Sequence, residues 1–200
     1  MIGIQPILNG GLDQAEHNGA TIEGELGHVG DNEGSAEGSS RLDDPTKFYT
    51  DPKQAKDFVE KTRVDALAIA VGTAHGAYKL PPKLDFDRIA NIANTIDVPL
   101  VLHGGSGLTD QDFKKAIRAG ISKINIFTDI NIAAVEAEFR AFDSMSKGII
   151  DLIPAAVQAI KDSVIQKLKL FGSDGKAYTA VQPDIDEIVR LVVQEVRKNL

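Results

Sequence analysis

The amino-acid sequence predicts a parallel α/β fold, on three observations. Four short apolar runs each end in Gly, His or Asn, as buried parallel strands do. Amphipathic helical patterns separate them, and strand and helix alternate along the chain. Two hundred residues provide one domain with a real core and too little chain for two comfortable ones.

Taken in order, the strands are "ATIEGELG" (20–27), "VDALAIAVG" (64–72), "VPLVLHGG" (98–105) and "KINIFT" (123–128). A long loop rich in Gly, Ser, Asp and Glu, "HVGDNEGSAEGSSRLDDP", joins the first two. Its length predicts a mobile cover over a site or a disordered segment. The helix "DPKQAKDFVEKT" then opens with Asp51 as N-cap and Pro52 at the first helical position. "DFDRIANIANTI" places Phe86, Ile89, Ile92, Ala93 and Ile96 on one face. "TDQDFKKAIRAG" starts with a Thr-x-x-Asp capping pattern at Thr109 and stops at Gly120. Two helices follow without a strand between them, "NIAAVEAEFRAF" and "IPAAVQAIKDSVIQKLKLFG". A loop leads from there to a last amphipathic helix, "DIDEIVRLVVQEVRKNL".

Composition narrows the chemistry. A net charge of −7 argues against nucleic acid as the main partner, while leaving small phosphorylated ligands open. The absence of cysteine removes disulfides, thiolate metal sites and cysteine nucleophiles, so a transition metal would need histidine and carboxylate. "MIGIQPILNGGLD" lacks a basic n-region and a long apolar stretch, and no window approaches the roughly 20 apolar residues of a membrane span. The expected location is the cytoplasm.

In parallel α/β proteins ligands bind beyond the carboxyl ends of the strands. His75 in "AVGTAHGAYKL" and His103 in "PLVLHGGSG" close two such ends, though the chain has only four histidines. Neighbouring strands lie about 4.8 Å apart, so the two imidazoles can converge on one ion. Each histidine alone also fits a hydrogen-bonded turn. Glu23 and Glu25, two apart on the first strand, share a face, and a carboxylate there is a candidate ligand or an orienting partner of one. "HGGSG" reads equally as an anion cradle, with Ser106 offering a hydroxyl, and as an ordinary glycine-rich turn. In "NIFTD", Asn125 and Thr128 face the same end region, and Thr128 or Asp129 can cap the next helix. His28 and His17 read as loop and helix residues without a special role.

Together, "IEGELGHVG", "VDALAIAVGTAHGAY", "VPLVLHGGSGL" and "KINIFTDI" resemble the second half of the class II, zinc-dependent ketose-bisphosphate aldolases, the fructose- and tagatose-bisphosphate type, from about Gly19 to about Lys176. The resemblance implies a TIM (β/α)8 barrel, of which this chain would hold about strands five to eight. Residues 1–176 would form that half-barrel and 177–200 a helical extension. It implies His75 and His103 as two of three zinc ligands and Glu25 as the carboxylate beside the metal. Glu33 would assist proton transfer. Gly76, Gly104 and Ser106 would bind phosphate and a monovalent cation (Na+ or K+), with Asn125 on the dihydroxyacetone-phosphate moiety and Thr128 at the phosphate end. The implied reaction is reversible aldol cleavage of a ketose bisphosphate to dihydroxyacetone phosphate and an aldehyde, in a homo-oligomer. Zinc would polarise the ketone, and a carboxylate would move the proton of the C4 hydroxyl.

The family's first half, with the third zinc histidine and the aspartate before it, has no counterpart in this sequence. The expectations are therefore three: a truncated chain, one part of an assembly, or a catalytically silent half-barrel that binds phosphate or a partner subunit.

Overall fold

The structure, a computed structural model, describes residues 17–28, 30–31, 45–75, 82–144 and 148–176. Four parallel strands form the main sheet: β1 (Glu23–Leu26), β3 (Ala66–Ile69), β5 (Leu100–Leu102) and β6 (Ile121–Ile124), in that spatial order. β2 (Gly30–Asp31) and β4 (Ala74–His75) pair separately, also in parallel, with Asp31 opposite His75. That small pairing was not expected from the sequence. It places the His75 backbone beside the start of the loop after β1.

The helices between strands begin where the cap residues dictate. The Asp51 carboxylate accepts from the backbone N–H of Lys53 and Gln54, each at 3.0 Å, and Pro52 opens α1 (Pro52–Thr62). Asp85 caps α2 (Phe86–Ala93) by accepting from Arg88 N at 2.9 Å. α3 (Asp110–Ala119) carries the full capping box of Thr109 and Asp112. It ends at Gly120, whose φ of 124° and whose approach to Ala93 both require the absence of a side chain.

Parity divides the sheet into two faces. Leu67, Ile69, Val71, Leu100, Leu102 and Ile121 turn toward the helices and meet Ala55, Ile89, Ile92, Phe113 and Ala116 in one core. The other face carries Glu23 and Glu25 on β1, Ala66 and Ala68 on β3, Val101 on β5 and Lys123 on β6. A register shift between Leu100 and Val101 pairs Leu100 with Ile121 but Val101 with Lys123. The extra residue, Ser122, switches the parity of β6 so that Ile121 stays in the core while Lys123 joins the polar face.

Two boundaries differ from the sequence expectation. β6 starts at Ile121, directly after Gly120, and Thr128 already belongs to α4 (Thr128–Ser144), so the strand is not 123–128. α5 (Ile149–Phe171) begins one turn before the expected start and carries Pro154 inside it. Proline lacks the N–H of one helical hydrogen bond, but the turn before it still forms. α4 and α5 make an antiparallel hairpin, and Phe171 of α5 packs on Phe113 of the core at 5.0 Å between ring centroids. Among the described residues no helix is long and apolar enough to cross a membrane.

Candidate active site

At the carboxyl end of β5, His103 stands between two carboxylates. Its Nε2 lies 2.9 Å from Glu23 Oε1 and its Nδ1 lies 2.9 Å from Glu25 Oε2. β1 and β5 are not neighbours, so these side chains cross β3, a span of about 9.6 Å between backbones at ordinary strand spacing. The alanines of "ALAIA" make that crossing possible. Ala66 and Ala68 lie opposite Glu23 and Glu25 in register and offer only methyl groups to the space between. Gly24, between the two glutamates, faces the other way, where a Cβ would lie 2.8 Å from the Phe58 ring. Alternation along β1 thus sends both carboxylates to one face and the backbone against a helix.

Lys123 extends the cluster, its ammonium donating to Glu23 Oε2 at 2.8 Å and to Asn125 Oδ1 at 2.9 Å. Burial by itself would raise the Glu23 carboxyl. The hydrogen bonds and charges of Lys123 and His103 outweigh it and hold that carboxyl below its ordinary range. Lys123 takes one lone pair of the Asn125 oxygen, and the amide also carries an NH2 group that can donate to a ligand.

The glycine-rich turn after β5 packs against β4. Gly104, at φ 65°, lies so close to the Ala74 carbonyl that a Cβ there would collide with it, which brings the "HGGSG" and "GTAHG" backbones together. Ser106 is buried, and its Oγ accepts from Phe127 N at 3.3 Å and Asp129 N at 3.2 Å. Both lone pairs are then used, so the capacity left to the hydroxyl is its proton, a donor for an anion. Ser106 therefore serves the start of α4, a task the sequence offered to Thr128 or Asp129.

Of the other expected site residues, His75 lies on β4 with its backbone described and Thr128 opens α4. Gly76, Glu33 and the helix of 184–200 lie outside the described residues. His28 donates its backbone N–H to Phe48 O and packs its ring edge-on to Phe48, as a loop residue would. Lys123 was missed by sequence reasoning. The signal was its two-residue spacing from Asn125, which puts both on one face of a strand.

The donors present suit a divalent ion in part. Histidine ligands of zinc typically bind with one nitrogen and hold a carboxylate with the other, and His103 has a carboxylate at each nitrogen. Among the described residues no three such side chains converge as a complete set. Oxygen ligation has a candidate of its own, since Thr73 Oγ1, one residue before Ala74, is buried without a hydrogen-bond partner among the described residues.

His103, Glu23, Glu25 and Lys123 thus meet on one face of a four-stranded parallel sheet, next to a glycine-rich turn, an arrangement of the α/β class. The sequence matches the class-II fructose-bisphosphate aldolase family over residues 11–176. The chain belongs to that family. It is 42% identical over 159 residues to the protein YdjI of Escherichia coli strain K12, covering 80% of this chain and 54% of the relative. It is 38% identical over 169 residues to the sulfofructosephosphate aldolase of Alkalicoccus urumqiensis, covering 84% and 58%. The crystal structure of the YdjI aldolase from Escherichia coli K12 superposes with a TM-score of 0.71 at 38% identity, over 86% of this chain and 57% of that one. The chain thus spans a little over half the length of these relatives.

Proposed function

We propose that this chain carries the strand-end half of a zinc-dependent aldolase site. The reaction is reversible cleavage of a ketose bisphosphate, such as fructose or tagatose bisphosphate, to dihydroxyacetone phosphate and an aldehyde. The observation that carries the reading is His103 held at the end of β5 between Glu23 and Glu25, on the same face as Lys123. His103 and His75 would hold the metal, and Glu25 would orient His103 through its second nitrogen. Bound zinc supplies a Lewis acid that polarises the ketone and stabilises the charge left when the carbon–carbon bond breaks. Asn125 donates from its amide to the dihydroxyacetone moiety. Ser106 would donate its proton to the phosphate, with Gly104, Gly76 and Thr128 as its further expected contacts. Glu33 would assist movement of the C4 hydroxyl proton. A sodium or potassium ion belongs with the same backbone, where the Thr73 hydroxyl supplies an oxygen donor. The relative named sulfofructosephosphate aldolase supports an aldolase acting on a phosphorylated ketose.

A second reading is a half-barrel, catalytically incomplete by itself, that binds phosphate or a partner subunit, such as a second copy. It is favoured by the four-strand sheet of the described residues, in which β1 and β6 are the outer strands. One experiment separates the two. Zinc content and chelator-sensitive cleavage of fructose 1,6-bisphosphate are measured on the purified chain. Zinc at about one per chain with cleavage supports the aldolase reading. Zinc without cleavage supports the catalytically incomplete half-barrel. No zinc, with His103→Ala indistinguishable from wild type in phosphosugar binding, removes the ligand assignment.

A further inference from the structure

Behind the glycine-rich turn sits a second charged cluster that the reading above does not use. Asp129, in the first turn of α4, has both carboxylate oxygens engaged. Oδ1 accepts from Gly107 N at 2.9 Å and Oδ2 pairs with Lys167 Nζ at 3.0 Å. Asp129 N in turn donates to Ser106 Oγ. Turn and helix therefore exchange bonds: a serine side chain of the turn holds the helix backbone, and an aspartate side chain of the helix holds the turn backbone. It is the logic of a capping box spread over two segments. Gly107, at φ 82°, is fixed in the left-handed region where few other residues would sit.

Lys167 comes from α5, far along the chain. Its ammonium lies 4.8 Å above the Phe113 ring centroid, and Phe113 is fully buried. The lysine is thus pinned between a core ring and a carboxylate, and both members of the ion pair are mostly shielded from water. The charge matters as much as the geometry. A bare carboxylate one bond from the turn would repel a phosphate dianion from the Ser106 hydroxyl, whereas the lysine cancels it.

We infer that Lys167 and Asp129 are positioning residues for phosphate: Asp129 sets the Gly104–Gly107 turn through the Gly107 amide, and Lys167 neutralises Asp129 so that the turn accepts an anion. This rests on the reading that the turn takes the substrate phosphate.

The test is dihydroxyacetone phosphate binding by calorimetry to the full chain, with thermal melting of each variant alongside. Lys167→Met keeps the apolar stem and removes the charge, and should weaken binding at least about fivefold, the scale of one unmatched charge near the ligand. Asp129→Asn in the same chain keeps an oxygen for the Gly107 N–H and removes the stranded charge, so the double variant should return to within about twofold of wild type. Lys167→Arg should bind as wild type does. Deleting the second charge would also rescue a purely structural pair, so the melts separate the two roles: only a positioning role weakens binding in Lys167→Met at a temperature where that variant is still fully folded. Lys167→Met binding within fivefold of wild type, or a double variant as weak as Lys167→Met, overturns the inference and leaves the phosphate reading standing. Should Lys167→Met fail to fold, the double variant and Lys167→Arg decide: loss of binding in either, with the fold intact, overturns it. Wild type without measurable binding removes the phosphate reading itself, and this inference with it.

Discussion

Helices α1–α3 and the hairpin α4–α5 are built from similar amphipathic sequence, yet they bury it differently. Each of the first three is capped by a side chain at its start and turns a narrow apolar face onto the sheet, where Ala55, Ile89, Ile92, Phe113 and Ala116 lose all contact with water. The hairpin touches this core through few residues, Phe171 among them, and leaves Phe139 and Phe142 about two-thirds exposed, and Ile149, Ile150 and Val157 more than half exposed. The difference teaches that helix formation and helix placement have separate causes. Caps and periodicity make the helix; only a matched apolar surface fixes where it lies.

The largest expected effect tests that contrast directly. Phe113→Ala removes a fully buried ring that touches Phe171 and Lys167, and should cost about 3–5 kcal/mol in urea unfolding. Phe139→Ala, on the outer face of the hairpin, should change stability by no more than about 0.5 kcal/mol. A comparable loss at Phe139 would break the comparison, because it would mean that the hairpin face is covered in solution.

A middle-sized effect concerns the caps. Thr109→Ala deletes the hydroxyl that accepts from Asp112 N at 3.2 Å, and should cost about 1 kcal/mol. Thr109→Ser, which keeps the acceptor, should recover most of it. If Thr109→Ala is silent, α3 is held by packing alone and its likeness to the hairpin is closer than the structure indicates.

What the sequence made legible follows the same division. Asp51 with Pro52, Thr109 with Asp112 and the stop at Gly120 were readable because each acts within a few residues of itself. The placement of His103 just past β5, and of Glu23 and Glu25 on one face of β1, was readable from strand alternation and from the glycines after His103. Lys123 was not. The extra residue at Ser122 shifts parity without any compositional sign, and the strand was expected two residues late. The Asp129–Lys167 pair was invisible for a different reason, since its partners meet only when α5 folds back onto the turn. Ser106 illustrates the middle case: its place in a glycine-rich turn was plain, but its service to the start of α4 depends on where β6 ends.

The smallest effect sharpens the comparison at the level of single charges. Lys61 and Asp57 on α1 approach to 2.6 Å, closer than Lys167 and Asp129 at 3.0 Å. Distance alone would rank the α1 pair first. Both of its side chains are more than half exposed, however, so water screens the attraction and ordering two mobile side chains offsets what is left. Lys61→Ala should therefore alter stability by no more than about 0.5 kcal/mol, as an exposed helical pair one turn apart normally does. Adding salt should shrink even that difference, because exposed charges are screened over about 10 Å at 0.1 M. A loss of several kilocalories at Lys61 would mean that the outer face of α1 is covered by something, and the sharp division between a buried sheet-facing side and a solvated outer side would fail there first.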